Sequence, residues 1–279
     1  MLVLMTRKST VTGLLLSCTA VAQGPFTPAP AILQISRELI KPGRSAAVAQ
    51  IEKSGIARAV ELNNPHPWLM LASLSGPDND HWYLNGYDSY AAFDAAAAQI
   101  AAIPELAALW EDLPRQKADL VVDPRTVLAR YRQDLSYSNG LSGAHTRFFL
   151  VSTVHVRPGH IAEFTELRRI VRRGHQQARA ADILSVYEVE SGTADGTFLV
   201  FSPSASLDEA GALSQFHGRG LENALSDQDR TRLRDLSISA IDSSETVLFR
   251  VDPSLSYPLR EWIEPDPEFW RENLAFNRR

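Results

Sequence analysis

One cysteine, Cys18, is all the thiol chemistry in this 279-residue chain. A lone cysteine rules out an internal disulfide framework and any metal site built on several thiolates. Long apolar runs are missing too, and the N-terminal one around Val11 to Ala22 is too short to cross a bilayer. The chain has no Gly-x-Gly-x-x-Gly, Walker, Gly-x-Ser-x-Gly or His-Glu-x-x-His sequence. Those absences remove the usual phosphate cradles, the hydrolase nucleophile elbow and the zinc-protease helix. Basic excess is also lacking: 28 Lys and Arg face 33 Asp and Glu, for a net charge of −5. An acidic chain is a poor partner for nucleic acid or anionic lipid.

The first feature present is a processing signal. Arg7 and Lys8 precede a short apolar core and an Ala20-Val21-Ala22 end. These are the parts of a secretory signal peptide, so residues 1–22 are expected to be removed and the protein to be secreted or periplasmic. Leu15-Leu16-Ser17-Cys18 is close to the bacterial lipoprotein pattern, and a cut before Cys18 would instead give a lipid-anchored chain. Cleavage after Ala22 removes the only cysteine along with Arg7 and Lys8. That leaves 26 basic residues against 33 acidic ones, net −7, and no transmembrane segment. Three prolines in 23–31 read as an extended leader.

The rest of the chain is organised by a repeat. Ile40-Lys41-Pro42-Gly43-Arg44 returns as Val156-Arg157-Pro158-Gly159-His160, 116 residues on. The same offset lays Ser75-Gly76 on Ser191-Gly192 and Trp82 on Phe198. A later echo pairs Thr126-Val127-Leu128 with Thr246-Val247-Leu248, and Leu135-Ser136-Tyr137 with Leu255-Ser256-Tyr257. Each copy reads as strand, Pro-Gly corner, helix, two strands joined by a turn, an interrupted helix and a strand. This β-α-β-β-α-β order defines a ferredoxin-like unit, which leaves one sheet face bare. The expected fold class is therefore α+β, with two tandem ferredoxin-like units packed sheet to sheet as an intrachain α/β barrel. The units are expected at 32–131 and 147–251, joined by 132–146 and followed by a tail at 252–279. Trp262, Phe269 and Trp270 in that tail should dock on the body or on a second chain, so a homodimer is one expected assembly.

The openings Leu39-Ile40-Lys41-Pro42-Gly43 and His155-Val156-Arg157-Pro158-Gly159-His160, with Glu163-Phe164 after the second, resemble the dimeric α/β-barrel superfamily. That group holds antibiotic-biosynthesis monooxygenases, NIPSNAP proteins and chlorite-dismutase-like haem proteins. The resemblance implies a ligand cavity between the bare sheet faces. It is compatible with a module that binds a small apolar or aromatic molecule there. Its enzymatic alternatives are a cofactor-free monooxygenase and a haem-dependent enzyme.

Polar strand residues are then the pocket candidates. Arg37 and Glu38 lie on the first strand, and Thr153 and His155 on its counterpart. Strand residues alternate faces, so either 34/36/38 or 37/39 points inward. Trp82 heads an aromatic group with Tyr83, Tyr87 and Tyr90. Arg130 and Arg250 match on the last strand of each unit, where they could clamp a carboxylate or guard an edge. No His and carboxylate spacing suggests a metal, so neither metal nor cofactor is expected, with haem the alternative through a histidine such as His155. The Arg168–Arg173 run reads as a solvated helix face paired with Glu163 and Glu166.

Overall fold

The computed structural model describes residues 28–139, 144–271 and 273. The export expectations on Met1 to Ala22, and most of the leader, lie outside the described residues. Residues 28–131 form β1 (Ile32–Ile40), α1 (Ser45–Glu61), β2 (Leu69–Ser73), β3 (Asp80–Tyr87), α2 (Tyr90–Ala101), α3 (Pro104–Lys117) and β4 (Val121–Tyr131). A two-residue strand, β5 (Tyr137–Ser138), precedes the second set. That set is β6 (Phe148–Val156), α4 (Ile161–Ala178), β7 (Ile183–Ser191), β8 (Thr197–Ser204), α5 (Leu207–Gln215), a π-helical turn (Phe216–Gly220), α6 (Leu221–Ala224), α7 (Asp227–Ala240) and β9 (Ile241–Val251). Two short tail helices follow, α8 (Arg260–Ile263) and α9 (Pro267–Trp270). Among the described residues no single helix is long and apolar enough to cross a membrane.

Both Pro-Gly corners turn a strand into a helix. Proline presets the second position of a type II turn, and glycine takes the positive φ of the third. Gly43 has φ 74° and Gly159 has φ 84°. The turns close through Arg44 N–H to Lys41 O and His160 N–H to Arg157 O, both 3.0 Å.

The strands close on themselves. Their order is β4-β1-β3-β2-β9-β6-β8-β7, and β7 pairs back to β4. All these pairings are antiparallel, and the halves meet at two seams, β2–β9 and β4–β7. Closure removes edge strands. The edge-guarding role considered for Arg130 and Arg250 therefore does not arise, because β4 and β9 are paired on both sides.

The barrel interior is filled with side chains. Leu33, Ile35, Leu69, Trp82, Phe149, Phe201 and Phe249 belong to one buried cluster. Trp262, Ile263 and Trp270 of the tail join it. The tail aromatics thus dock on their own chain, held by Arg147, which pairs with Asp266 and sits over the Phe269 ring. Ala29 packs against the same cluster, and the Tyr187 hydroxyl donates to Pro30 O.

Helices cover the outer faces. Behind the second half, Phe164, Leu167, Ile170, Phe198 and Leu236 form a separate packed core. The Arg168–Arg173 run departs from its expected state in two ways: Glu163 and Glu166 pair with His160 and Arg232 instead, and one of its arginines is not solvated. Arg169 and Arg173 pair with Asp134 and Asp229, but the Arg168 Nε and Nη2 are buried with no protein partner. Burial pulls that guanidinium down to about 10. Stranding buried donors without a partner is costly, so Arg168→Met is expected to raise stability by about 1–3 kcal/mol. Urea unfolding of the two proteins measures this, and an unchanged or lower midpoint contradicts it.

Candidate functional site

Behind the first half the outer face is hollow. A cavity of ≈ 270 Å³ lies between β1–β3 and the helices α1–α3. Strand parity decides what reaches it. Leu33, Ile35, Trp82 and Leu84 point into the barrel, so Gln34, Ser36, Glu38, Tyr83, Asn85 and Tyr87 point to the helix side and line the cavity.

At one end sits a buried charge cluster. Lys117 Nζ donates to Glu38 Oε1 and Oε2 at 2.7 and 2.6 Å and to Glu52 Oε1 at 2.7 Å. The helix pattern puts these residues there. Glu52 is one turn after Val48 and one before Ile56, both buried. Lys117 continues the row Leu106, Leu109, Leu113 on α3. Spacings of three and four share a helix face, so each charge is carried inward by its apolar neighbours. Burial pulls the Lys117 ammonium down, but Glu52 and Glu38 outweigh it and the pKa is raised. Lys117 also sits 5.4 Å from the Tyr83 ring centre. Burial first, then the charges of Glu52 and Glu38, hold the Tyr83 phenol well above its ordinary pKa. Its hydroxyl lies beside the Glu52 carboxylate, yet neither it nor Glu52 Oε2 completes a well-formed hydrogen bond within the protein. Two carboxylates and one ammonium leave this end with an excess of negative charge.

The remaining wall is aromatic. Trp68 meets Trp110 edge-on at 5.5 Å and stacks on Tyr257 at 4.9 Å. The Trp68 indole N–H donates to Leu255 O at 2.9 Å, which ties the wall to the loop after β9. His66 lies 6.2 Å from Tyr87, and burial lowers its pKa.

Of the charged candidates read from the sequence, the structure brings Glu38 to this cavity, on the strand face it shares with Gln34 and Ser36. Arg37 lies on the other face of β1, where it grips the buried Asp80 at 2.9 and 2.8 Å. Trp82 is in the barrel interior, against Phe249 at 5.0 Å, with its N–H on Asp80. Thr153 and His155 share strand parity with Phe149 and Val151, on the interior side, and His155 bonds Thr197 at 2.9 Å. Arg130 pairs with Glu190 across the β4–β7 seam and lies over Tyr90. Arg250 is exposed on β9. Three strands separate β4 from β9 either way around the barrel, so the two arginines form no clamp. Among the described residues, both inner faces and the tail aromatics pack into the space between the sheets where a pocket was expected. Tyr83 and Tyr87 of the aromatic group do reach the cavity, while Glu52, Trp68, Trp110 and Lys117 went unread as site residues.

No family model matches the sequence, and no curated protein matches it. Solved structures do resemble the fold. A protein from Fusobacterium nucleatum subsp. nucleatum ATCC 25586, provisionally described as a monooxygenase, superposes with TM-score 0.52 at 12% identity, over 79% of this chain and 91% of its own. An anthrone oxidase-like protein gives TM-score 0.50 at 8% identity, over 80% and 92%. This is the dimeric α/β-barrel fold. A protein from Lactobacillus acidophilus NCFM, also provisionally a monooxygenase, gives 0.49 at 8% identity, over 79% and 93%. In this chain both halves of the barrel come from one polypeptide, and one helix face is packed while the other holds a cavity.

Proposed function

We propose that the cavity of the first half binds a small aromatic molecule bearing a hydrogen-bond donor, such as a phenol or aromatic amine. The observation that carries this reading is the pairing of an aromatic wall, Trp68, Trp110 and Tyr87, with a carboxylate-rich end, Glu38 and Glu52 around Lys117. Ligand sites are mostly apolar with a few placed polar groups. An excess carboxylate favours a donor. The volume of ≈ 270 Å³ suits a small ring system.

A panel of phenols, naphthols and anilines should quench tryptophan fluorescence saturably, at one equivalent per chain. Glu52→Gln should weaken binding about tenfold or more, the loss of a hydrogen bond to a charged group. If no member of the panel quenches saturably, the reading is wrong.

Turnover is a second reading, and one observation favours it. A protonated Tyr83 beside the Glu52 carboxylate places a proton donor and an acceptor side by side. The similar structures described as monooxygenase and anthrone oxidase-like fit cofactor-free oxidation of such a ring. Oxygen uptake with a bound phenol or anthrone, abolished in Glu52→Gln, tests it.

The export reading of Met1 to Ala22 belongs to the same proposal. Expression in a bacterial host should yield mature protein beginning at Gln23 by intact mass. A chain retaining Met1 would refute cleavage, and a lipid-modified Cys18 would select the anchored form.

A further inference from the structure

On the opposite half, three side chains from three elements point at one spot. His175 lies at the end of α4, Asp182 just before β7, and His217 in the π-helical turn. Nε2 of His175 and Nε2 of His217 each lie 3.2 Å from Asp182 Oδ2, and one ligand atom from each residue falls within 4.8 Å of the others. The His175 and Asp182 side chains are 0% and 1% exposed, that of His217 28%.

The protons at this cluster are the informative part. His175 Nδ1 lies 2.9 Å from Val171 O, and a carbonyl only accepts, so Nδ1 carries the hydrogen. In the neutral ring Nε2 then presents a lone pair toward a carboxylate oxygen. The contact does not have hydrogen-bond geometry, and Nε2 counts among the buried atoms without a partner. Asp182 Oδ1 is likewise buried and unpartnered. A lone pair facing a carboxylate at this distance is relieved by a proton on Nε2 or by a cation between them, and the convergence of His217 Nε2 on the same carboxylate oxygen fits the cation.

The geometry fits a metal ion. Tetrahedral Zn²⁺ with bonds of about 2.0–2.1 Å sets its ligand atoms about 3.3–3.4 Å apart, close to the two separations here. A backbone carbonyl that fixes the far nitrogen of a histidine is a recurrent outer-shell feature of metal sites. Tyr137 and Phe216 pack against His175, with ring centres 5.4 and 5.0 Å away, and keep the spot apolar. Gly174 lets α6 come close, since a Cβ there would meet Leu221 at 2.4 Å. That approach brings the turn carrying His217 onto α4. π-Helical turns inside helices often mark functional positions.

We propose that His175, Asp182 and His217 bind a divalent transition metal of the Zn²⁺ class. Three protein ligands leave a fourth position, on the partly exposed His217 side, for water or an exchangeable ligand.

The test uses the tag-free chain after chelator treatment and dialysis. Added Co²⁺ should give the visible bands of a tetrahedral site, saturate at one equivalent, and be displaced by Zn²⁺. Zn²⁺ should also raise the melting temperature, as any ligand of the native state does. His217→Ala alters a partly exposed turn and should fold, as circular dichroism will show. It should lose at least about 100-fold in affinity, beyond what an outer-shell loss costs. His217→Cys supplies another ligand and should retain Zn²⁺. Absence of stoichiometric Co²⁺ and Zn²⁺ binding by the wild type, or equal binding by His217→Ala, overturns the proposal.

Discussion

Lys117→Ala is expected to lower the unfolding free energy by about 3–5 kcal/mol, the usual cost of stranding a buried ionic partner. Glu38 and Glu52 share this one ammonium, and the Glu52 side chain is 6% exposed. Without Lys117 the two carboxylates face each other with no counter-charge, and protonating one is the only relief. Urea titration reads the loss. A midpoint within error of the wild type would show the carboxylates to be solvated after all.

The same pair fixes the pH dependence. The Lys117 pKa is raised by the fold. Its stabilisation is therefore complete below the unfolded lysine value of about 10.4 and is lost as pH rises through the higher folded value. Lys117→Ala should flatten that alkaline limb. Replacing the whole cluster separates stability from function. Glu38→Leu, Glu52→Leu and Lys117→Met together should be neutral or stabilising by up to about 4 kcal/mol, while abolishing ligand binding.

Gly192→Ala is the second large effect. Gly192 has φ 95°, and a Cβ there would stand 2.1 Å from Thr126 O and 2.8 Å from Val127 Cα. Both obstacles are backbone of β4, at the seam that closes the barrel, where Leu128 pairs with Ser191. Neither can rotate away. A left-handed penalty of about 1–3 kcal/mol adds to the displacement of the seam, so a total above about 4 kcal/mol is expected, among the largest single-residue losses. Gly76 is the internal control. It takes the equivalent place at the β2–β9 seam, but its Cβ would meet the Val247 side chain at 2.9 Å. Gly76→Ala should therefore cost clearly less. Equal losses at the two positions would show that strain in φ, and not the closeness of β4, sets the cost.

Much of this architecture is written in local chemistry. The Pro-Gly corners are legible because proline and glycine suit the two middle positions of one turn type. Ile161–Ala178 is legible because Phe164, Leu167, Ile170 and Val171 recur on one helix face, and Ile32–Ile40 because five of its nine residues are apolar. The first parts of β4 and β9 escape sequence reading. Val122–Thr126 and Asp242–Thr246 are exposed and polar, and one contains Pro124, so no apolar pattern marks them. Asp123 at φ 49° and the register shift opposite Arg37 to Leu39 disrupt the pattern further. What makes these residues strand is pairing with β1 and β6, a non-local cause.

The site was less legible for a related reason. Glu52 and Lys117 look like ordinary surface charges on helices, although each stands in the helical row of its buried neighbours. Reading the face before the residue type would have found them. Strand phase could not be fixed, because β1 has covered residues on both faces. His175, Asp182 and His217 are separated by 7 and 35 positions and follow no ligand spacing. They meet because α4, the strand that follows it and the π-helical turn converge.

The unequal helix faces have a consequence for stoichiometry. A pair of identical subunits would offer two equal berths and could fill them in succession, one altering the affinity of the next. In this single chain Phe164 and Phe198 pack behind one half while a cavity lies behind the other. Binding as proposed would follow a simple hyperbola within each chain, with no twin site in the same chain through which to sense occupancy.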